Sequence, residues 1–203
     1  MSKPLKRLLC VGLLAASQLA TAGPILQDQG NGALQINYFE PLGQSFTAED
    51  AYISFGFNYV VMNQPFEVSD LSISLLDGEG LGGTVLTSRV FSLTAGFSGF
   101  FDVDLSAAAL TVGSKYTVTV SAVGDSPYWG LTFNGNYETY TGGAIQTGRP
   151  DGLTNFGDIA RMDTVFRVNP LAPPASVPEP ASLALFGVGM LGLALGRRRK
   201  RLN

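Results

Sequence analysis

Residues 115–123 read KYTVTVSAV, and this strict alternation constrains the fold more than any other feature of the chain. Tyr116, Val118, Val120 and Ala122 point one way, and Thr117, Thr119 and Ser121 the other. A repeat of two residues is the repeat of a β-strand with one dry face; a helix needs apolar residues three and four apart. The same pattern recurs in LSISL at 71–75 and in FDVDL at 101–105, where it places Asp102 and Asp104 on the wet face. AYISFGFNYVV at 51–61 is a longer run of aromatic and β-branched residues, and 84–93 and 162–168 are further strands. The segments 44–48 and 128–133 carry the pattern more faintly. Turn residues separate them: DGEGLGG at 77–83, VGS at 112–114 and DSP at 125–127. Many short strands, each with one apolar and one polar face, predict an all-β antiparallel sandwich. A jelly roll is the preferred version and an immunoglobulin-like sandwich the second.

Both ends of the chain depart from this pattern. MSKPLKR at 1–7 is basic, LLCVGLLAASQLA at 8–20 is apolar, and Ala20-Thr21-Ala22 follows as a small-x-small pattern. That order predicts a secretory signal peptide over 1–22, cleaved after Ala22 with Ala20 and Ala22 as the recognised small residues. The apolar run is too short for a spanning helix and has no polar face to suit a buried one. The single cysteine, Cys10, leaves with it, and the sequence contains no histidine. The sandwich over 23–168 is therefore expected to rest on packing without disulfides.

At the other end, 177–203 reads VPEPASLALFGVGMLGLALGRRRKRLN. Residues 181–196 are uncharged, and as a helix they would reach roughly 24 Å, a minimal transmembrane span. Arg197, Arg198, Arg199, Lys200 and Arg201 then form a stop-transfer block for the cytoplasmic side of the inner membrane. In 169–180, NPLAPPASVPEP, five of twelve residues are proline, so 169–177 is expected to be an extended, semi-rigid stalk.

Pro178-Glu179-Pro180, the short apolar segment and the terminal arginine block together resemble the PEP-CTERM sorting signal of exported bacterial proteins, placed at 178–203. The resemblance implies transient anchoring in the inner membrane of a Gram-negative bacterium. It also implies an exosortase-type membrane processing enzyme as partner, recognising Pro178, Glu179 and Pro180. Three further stretches are similar to a domain common in such proteins: QSFTA at 44–48, LTVGSKYT at 110–117 and DTVFRV at 163–168. That likeness implies a jelly roll related to carbohydrate-binding modules and assigns no binding residues.

The formal charge of −3 hides an uneven distribution. Of the 13 basic residues, Lys3, Lys6 and Arg7 lie in the leader and five in the tail block. Arg89, Lys115, Arg149, Arg161 and Arg167 remain against 16 acidic residues, all between Asp28 and Glu179, a net of −11. Such a surface repels copies of itself and excludes nucleic acid as a partner.

The expected chemistry is correspondingly thin. Without histidine or a retained cysteine there is no ordinary neutral-pH base, no thiol nucleophile and no His/Cys zinc site. A Ser–Lys pair would have to use Lys115, which reads as a solvated strand-edge residue. Asp102 and Asp104 are the tidiest carboxylate pair for a glycan-active enzyme, but alternate residues on an outer face are the ordinary place for solvated charge. The expectation is that the protein is not an enzyme. No cofactor is expected. Calcium is weighed at Asp77-Gly78-Glu79, against a plain hairpin turn, and at Asp151, Asp158 and Asp163. For carbohydrate, SPYWGLTFNGNYETYTGGAIQTGRP at 126–150 supplies Tyr128, Trp129, Tyr137 and Tyr140 as stacking surfaces, with Phe133, Asn134, Asn136 and Arg149 among them. The competing reading, that Trp129 and Phe133 fill the core while Tyr137 and Tyr140 brace a loop, is favoured over an extracellular-polysaccharide site. The reading that results is an exported surface or matrix protein, structural or adhesive in an exopolysaccharide biofilm or floc. The alternatives are a carbohydrate-binding module and a glycan-active enzyme.

Overall fold

A computed structural model describes residues 23–62, 68–124, 129–135, 140–156 and 158–174, with 154–156 described for their backbone only. The chain divides into two units, Met1–Leu171 and Ala172–Asn203. In chain order the strands of the first are β1 Ile25–Gln27, β2 Gly32–Gln35, β3 Leu42–Thr47, β4 Ile53–Val61, β5 Ser69–Asp77, β6 Val85–Leu93 and β7 Gly99–Asp104. They continue with β8 Lys115–Ala122, β9 Trp129–Asn134, β10 Ile145–Thr147, β11 Asp163–Thr164 and β12 Phe166–Pro170. One helical turn, α1 Ile36–Phe39, and two 3₁₀ helices, Pro150–Phe156 and Ile159–Arg161, complete the described elements.

The pairing is nested. β1 pairs with β12, β3 with β8, β4 with β7 and β5 with β6, all antiparallel. β12 then joins β4, giving the row β7-β4-β12-β1, and β8 joins β5, giving β6-β5-β8-β3. Eight strands paired first with last and inward, split between two sheets, are a rolled-up long hairpin: the jelly roll. β9 and β11 extend the first sheet, β2 pairs with β9, and β10 extends the second beyond β3.

Alternation in the sequence becomes the core. Leu71, Ile73 and Leu75 of β5 and Val118 and Val120 of β8 are fully buried. They face an aromatic row on the other sheet: Phe55, Phe57 and Tyr59 of β4. The Phe55 ring stacks on Phe166 at 5.4 Å and meets Phe46 of the opposite sheet at 5.5 Å. Each such buried ring contributes about 1.5–3 kcal/mol through loss of apolar surface from water. In the turn before β8, the Tyr116 hydroxyl accepts from the Thr111 amide at 2.9 Å, pinning the 110–117 stretch to itself.

Three details differ from the sequence reading. Thr117 and Thr119, expected on the wet face, are both buried, and the 77–83 turn folds back over Thr117, which is fully enclosed. Its hydroxyl donates to the Gly78 carbonyl and accepts from the Gly80 amide. Lys115 is solvated at the start of its strand, as expected, but β8 is an inner strand of the sheet and the ammonium pairs with Glu79 at 2.7 Å. The last strand, read as continuous, breaks at Val165. The Val165 carbonyl accepts from Asn58 of β4 while its amide donates to Thr132 of β9. β4 and β9 diverge there, and the final strand passes into the fork between them.

Candidate functional site

The described residues hold one concentrated polar group inside the protein, where β3 of one sheet faces β11 of the other. Gln44 is fully buried on β3. Its carbonyl oxygen accepts from the Thr164 amide at 2.8 Å and the Thr164 hydroxyl at 3.1 Å, and its Nε2 donates to Asp163 Oδ1 at 2.9 Å. The other oxygen of Asp163 accepts from the Tyr140 amide at 3.1 Å. The Tyr140 hydroxyl in turn accepts from the Thr47 amide at 3.1 Å, and the Thr47 hydroxyl donates to the Gly142 carbonyl. Burial pushes the Tyr140 phenol above its ordinary pKa, against the bond from Thr47.

Ser45, next on β3, exchanges bonds with Ala144: its hydroxyl accepts from the Ala144 amide at 2.9 Å and its amide donates to the Ala144 carbonyl. Backbone approach here is close enough that a Cβ at Gly143 would lie 1.9 Å from the Ser45 carbonyl oxygen, so glycine is required. The group thus staples the two sheets together and straps the 140–147 segment onto β3. Its donors and acceptors are directed at one another, which suits a lock and supplies no free nucleophile.

Two of the three stretches quoted above for their family likeness, 44–48 and 163–168, meet in this staple. The third, 110–117, lies beside the first, with Phe46 opposite Tyr116 and Thr47 opposite Lys115. Gln44 was not a site candidate in the sequence. Its only signal was an amide side chain in a stretch, LGQSF, that otherwise reads as core.

The aromatic candidates separate. Trp129 is buried at 1% exposure and Phe133 at 2%, both on β9 and both part of the core. Tyr140 is half-buried, edge-on to the Phe166 ring at 5.2 Å. Trp129 and Phe133 thus offer no open face for stacking. Tyr128, Asn136 and Tyr137 lie outside the described residues. Asn134 is buried, and the Arg149 guanidinium sits 4.5 Å over the exposed ring of Tyr38.

The acidic candidates are likewise engaged or dispersed. Asp102 forms a two-pronged ion pair with Arg167, through Nε at 2.8 Å and through Nη2. The Ser106 side chain and amide hydrogen-bond to Asp104 and hold its pKa below the usual carboxylate value. Glu79 belongs to Lys115, so a cation already occupies the 77–79 turn. Asp158 caps the 3₁₀ helix at 159–161, Asp151 is exposed and Asp163 is in the staple. Among the described residues no three of His, Cys, Asp and Glu gather as a metal site.

The leader with Ala20 and Ala22, the motif Pro178, Glu179 and Pro180, and the block Arg197, Arg198, Arg199, Lys200 and Arg201 lie outside the described residues. No helix among the described residues is long and apolar enough to cross a membrane.

The class defined by the described part is an all-β jelly-roll sandwich. The tail adds the second term: residues 176–200 match the family described as the PEP-CTERM protein-sorting motif. That motif implies export, processing by an exosortase and transient membrane anchoring in a Gram-negative bacterium. No curated protein matches it in sequence. Among solved structures it is similar to the infectious bursal disease virus VP2 subviral particle, at 15% identity and a TM-score of 0.27, over 74% of this chain and 37% of that one. The structure of the Gx strain of the same virus matches at 16% identity and a TM-score of 0.22, over 74% and 35%. The chain spans little more than a third of either viral chain, and similarity at this level carries no functional information.

Proposed function

We propose that the protein is a non-enzymatic, acidic building or adhesive element of the cell surface or extracellular matrix, in an exopolysaccharide biofilm or floc. In this reading the leader over 1–22 is removed on export. The proline-rich stalk presents Pro178-Glu179-Pro180 to the exosortase, and the domain is released from its anchor carrying a net charge of −11. The observation that carries it is the sorting motif at 176–200 behind a sandwich whose polar groups are spent on its own structure. A glycosidase acid needs a raised pKa, whereas Asp104 is lowered and Asp102 is held by Arg167.

The test is fractionation of the host producing wild type, Pro178→Ala/Glu179→Ala, or a chain lacking 197–201, with intact-mass measurement of the mature C-terminus. Wild type should reach the surface or medium without its tail, and both variants should remain in the membrane fraction. Wild-type protein at the surface with residues 181–203 still attached would refute processing.

The carbohydrate-binding alternative now rests on Tyr128, Tyr137 and the half-buried Tyr140, because Trp129 lies in the core. Pull-down on the host polysaccharide, compared with Tyr128→Ala/Tyr137→Ala, decides it. Hydrolysis of that polysaccharide by pure protein would overturn the non-enzymatic reading.

A further inference from the structure

Each sheet ends on a strand of the roll, and the two ends differ. β7 closes the first sheet with six residues, and Asp102 and Asp104 guard it. β6 closes the second with nine residues, VLTSRVFSL, and among the described residues it pairs only with β5. Free edges are templates for a further strand, and proteins usually blunt them with charge, proline or brevity. β6 has no proline, no carboxylate and a single charge, Arg89. A register shift between Leu75 and Leu76 of β5 disturbs only its first residues. Val85, Leu86 and Val90 are 56%, 40% and 64% exposed, a third of the large exposed hydrophobic residues among those described, all on one strand.

Charge selects the occupant. In a domain of net charge −11, copies repel almost everywhere. The longest interval without an acidic residue between Asp28 and Glu179 is 80–101, and it is centred on β6. This strand therefore brings no carboxylate of its own to a pairing; Asp70 of the neighbouring β5 accepts from the Ser92 hydroxyl near its far end, which leaves the stretch around Ser88 the least repulsive part of the edge.

We propose that β6 pairs antiparallel with β6 of a second copy, joining the two five-stranded sheets into one across a two-fold axis. Faces match only when residues of like parity are opposed. An axis at Arg89 would set two guanidinium groups opposite each other, which is unfavourable. An axis at Ser88 instead opposes Leu86 to Val90 of the second copy on the outer face, and Arg89 to Thr87 of the second copy on the inner face. Of these registers, Ser88 on the axis is the one that covers apolar surface and separates the charges.

The experiment is oxidative cross-linking of the full exported chain in a Cys10→Ser background, with one cysteine introduced at a time. Ser88→Cys lies on the axis, next to its own counterpart, and should give a disulfide dimer on a non-reducing gel. Ser92→Cys, also exposed and on the same face, should give about tenfold less, since its counterpart lies beyond the reach of a disulfide. Adding Val90→Lys to Ser88→Cys should lower the dimer about tenfold with the circular dichroism unchanged, because it sets a new charge at an apolar contact. Equal cross-linking at positions 88 and 92, or none at either, would overturn the proposal. The readout depends on neither the sorting pathway nor any polysaccharide.

Discussion

Asp163 and Arg167 lie four residues apart near the end of the domain, and each ties the last strand to a distant part of the chain. Asp163 does so in the interior, bonded to Gln44 of the other sheet. Arg167 does so on the outer face of its own sheet. It reaches over Gly56 of the intervening strand to Asp102, and a Cβ at Gly56 would lie 2.1 Å from the Asp102 carboxylate. Arg167 also lies 4.7 Å from the Phe100 ring, and the pair keeps about a third of its surface in water. Both contacts end on an aspartate carboxylate, one held by a neutral amide and the other by a guanidinium. Their surroundings differ, and surroundings set the cost of losing one partner. A buried group that loses its bond keeps its desolvation penalty, whereas an exposed one recovers water.

The largest effect is expected at the buried contact. Gln44→Ala removes the bonds to Thr164 and Asp163 together and should destabilise the fold by about 2–4 kcal/mol. Urea unfolding followed by the fluorescence of Trp129, the single tryptophan, measures this directly. A loss under about 1 kcal/mol would erase the contrast with the surface pair. Next comes Tyr140→Phe, which deprives the Thr47 amide of its acceptor and should cost about 1 kcal/mol at neutral pH.

That substitution also has a pH signature. The folded state holds the Tyr140 phenol above its unfolded pKa of about 10. Its contribution is thus complete below that pH and is lost as pH rises through the folded value, because the unfolded chain gives up the proton first. Tyr140→Phe should flatten the alkaline fall in stability above about pH 10, as read from urea midpoints.

Arg167→Ala should cost under about 1 kcal/mol, and the difference from wild type should shrink further at 1 M salt. A cost that persisted in high salt would show that the stacking on Phe100 matters more than the ion pair. The smallest effect tests a third situation, a buried polar group without a partner. The Tyr59 hydroxyl is fully buried and has no hydrogen-bond partner among the described residues, and burial raises its pKa. Tyr59→Phe should leave stability unchanged or raise it slightly at neutral pH, since no bond is lost and a desolvated group is removed.

The contrast also explains what the sequence could disclose. Residues 115–122 and 71–75 were legible as strands because a two-residue repeat is local, and their number pointed to a sandwich, but which strand pairs with which became visible only in the structure. The wet face of Asp102 and Asp104 was legible for the same reason. Gln44 was not, because its partners lie 119 and 120 positions away and no local pattern announces such a meeting. Thr117 was misplaced because a turn from another hairpin covers it, an event outside its own strand. The aromatic segment stayed ambiguous because tryptophan and tyrosine serve a sugar site and a core equally well. Only the pairing of Trp129 with Val61 and its burial place it inside.

The pairing of Ile25 with Val168 has one more consequence, and it concerns the order of events during secretion. A chain threaded across a membrane from its N-terminus delivers β1 first and β12 last. Among the described strands β1 has no other partner, so the roll cannot close until almost the whole domain has crossed. Closure of so long a loop is slow by its topology. The architecture that makes the finished domain self-contained also keeps the travelling chain open and threadable until its passage is nearly complete.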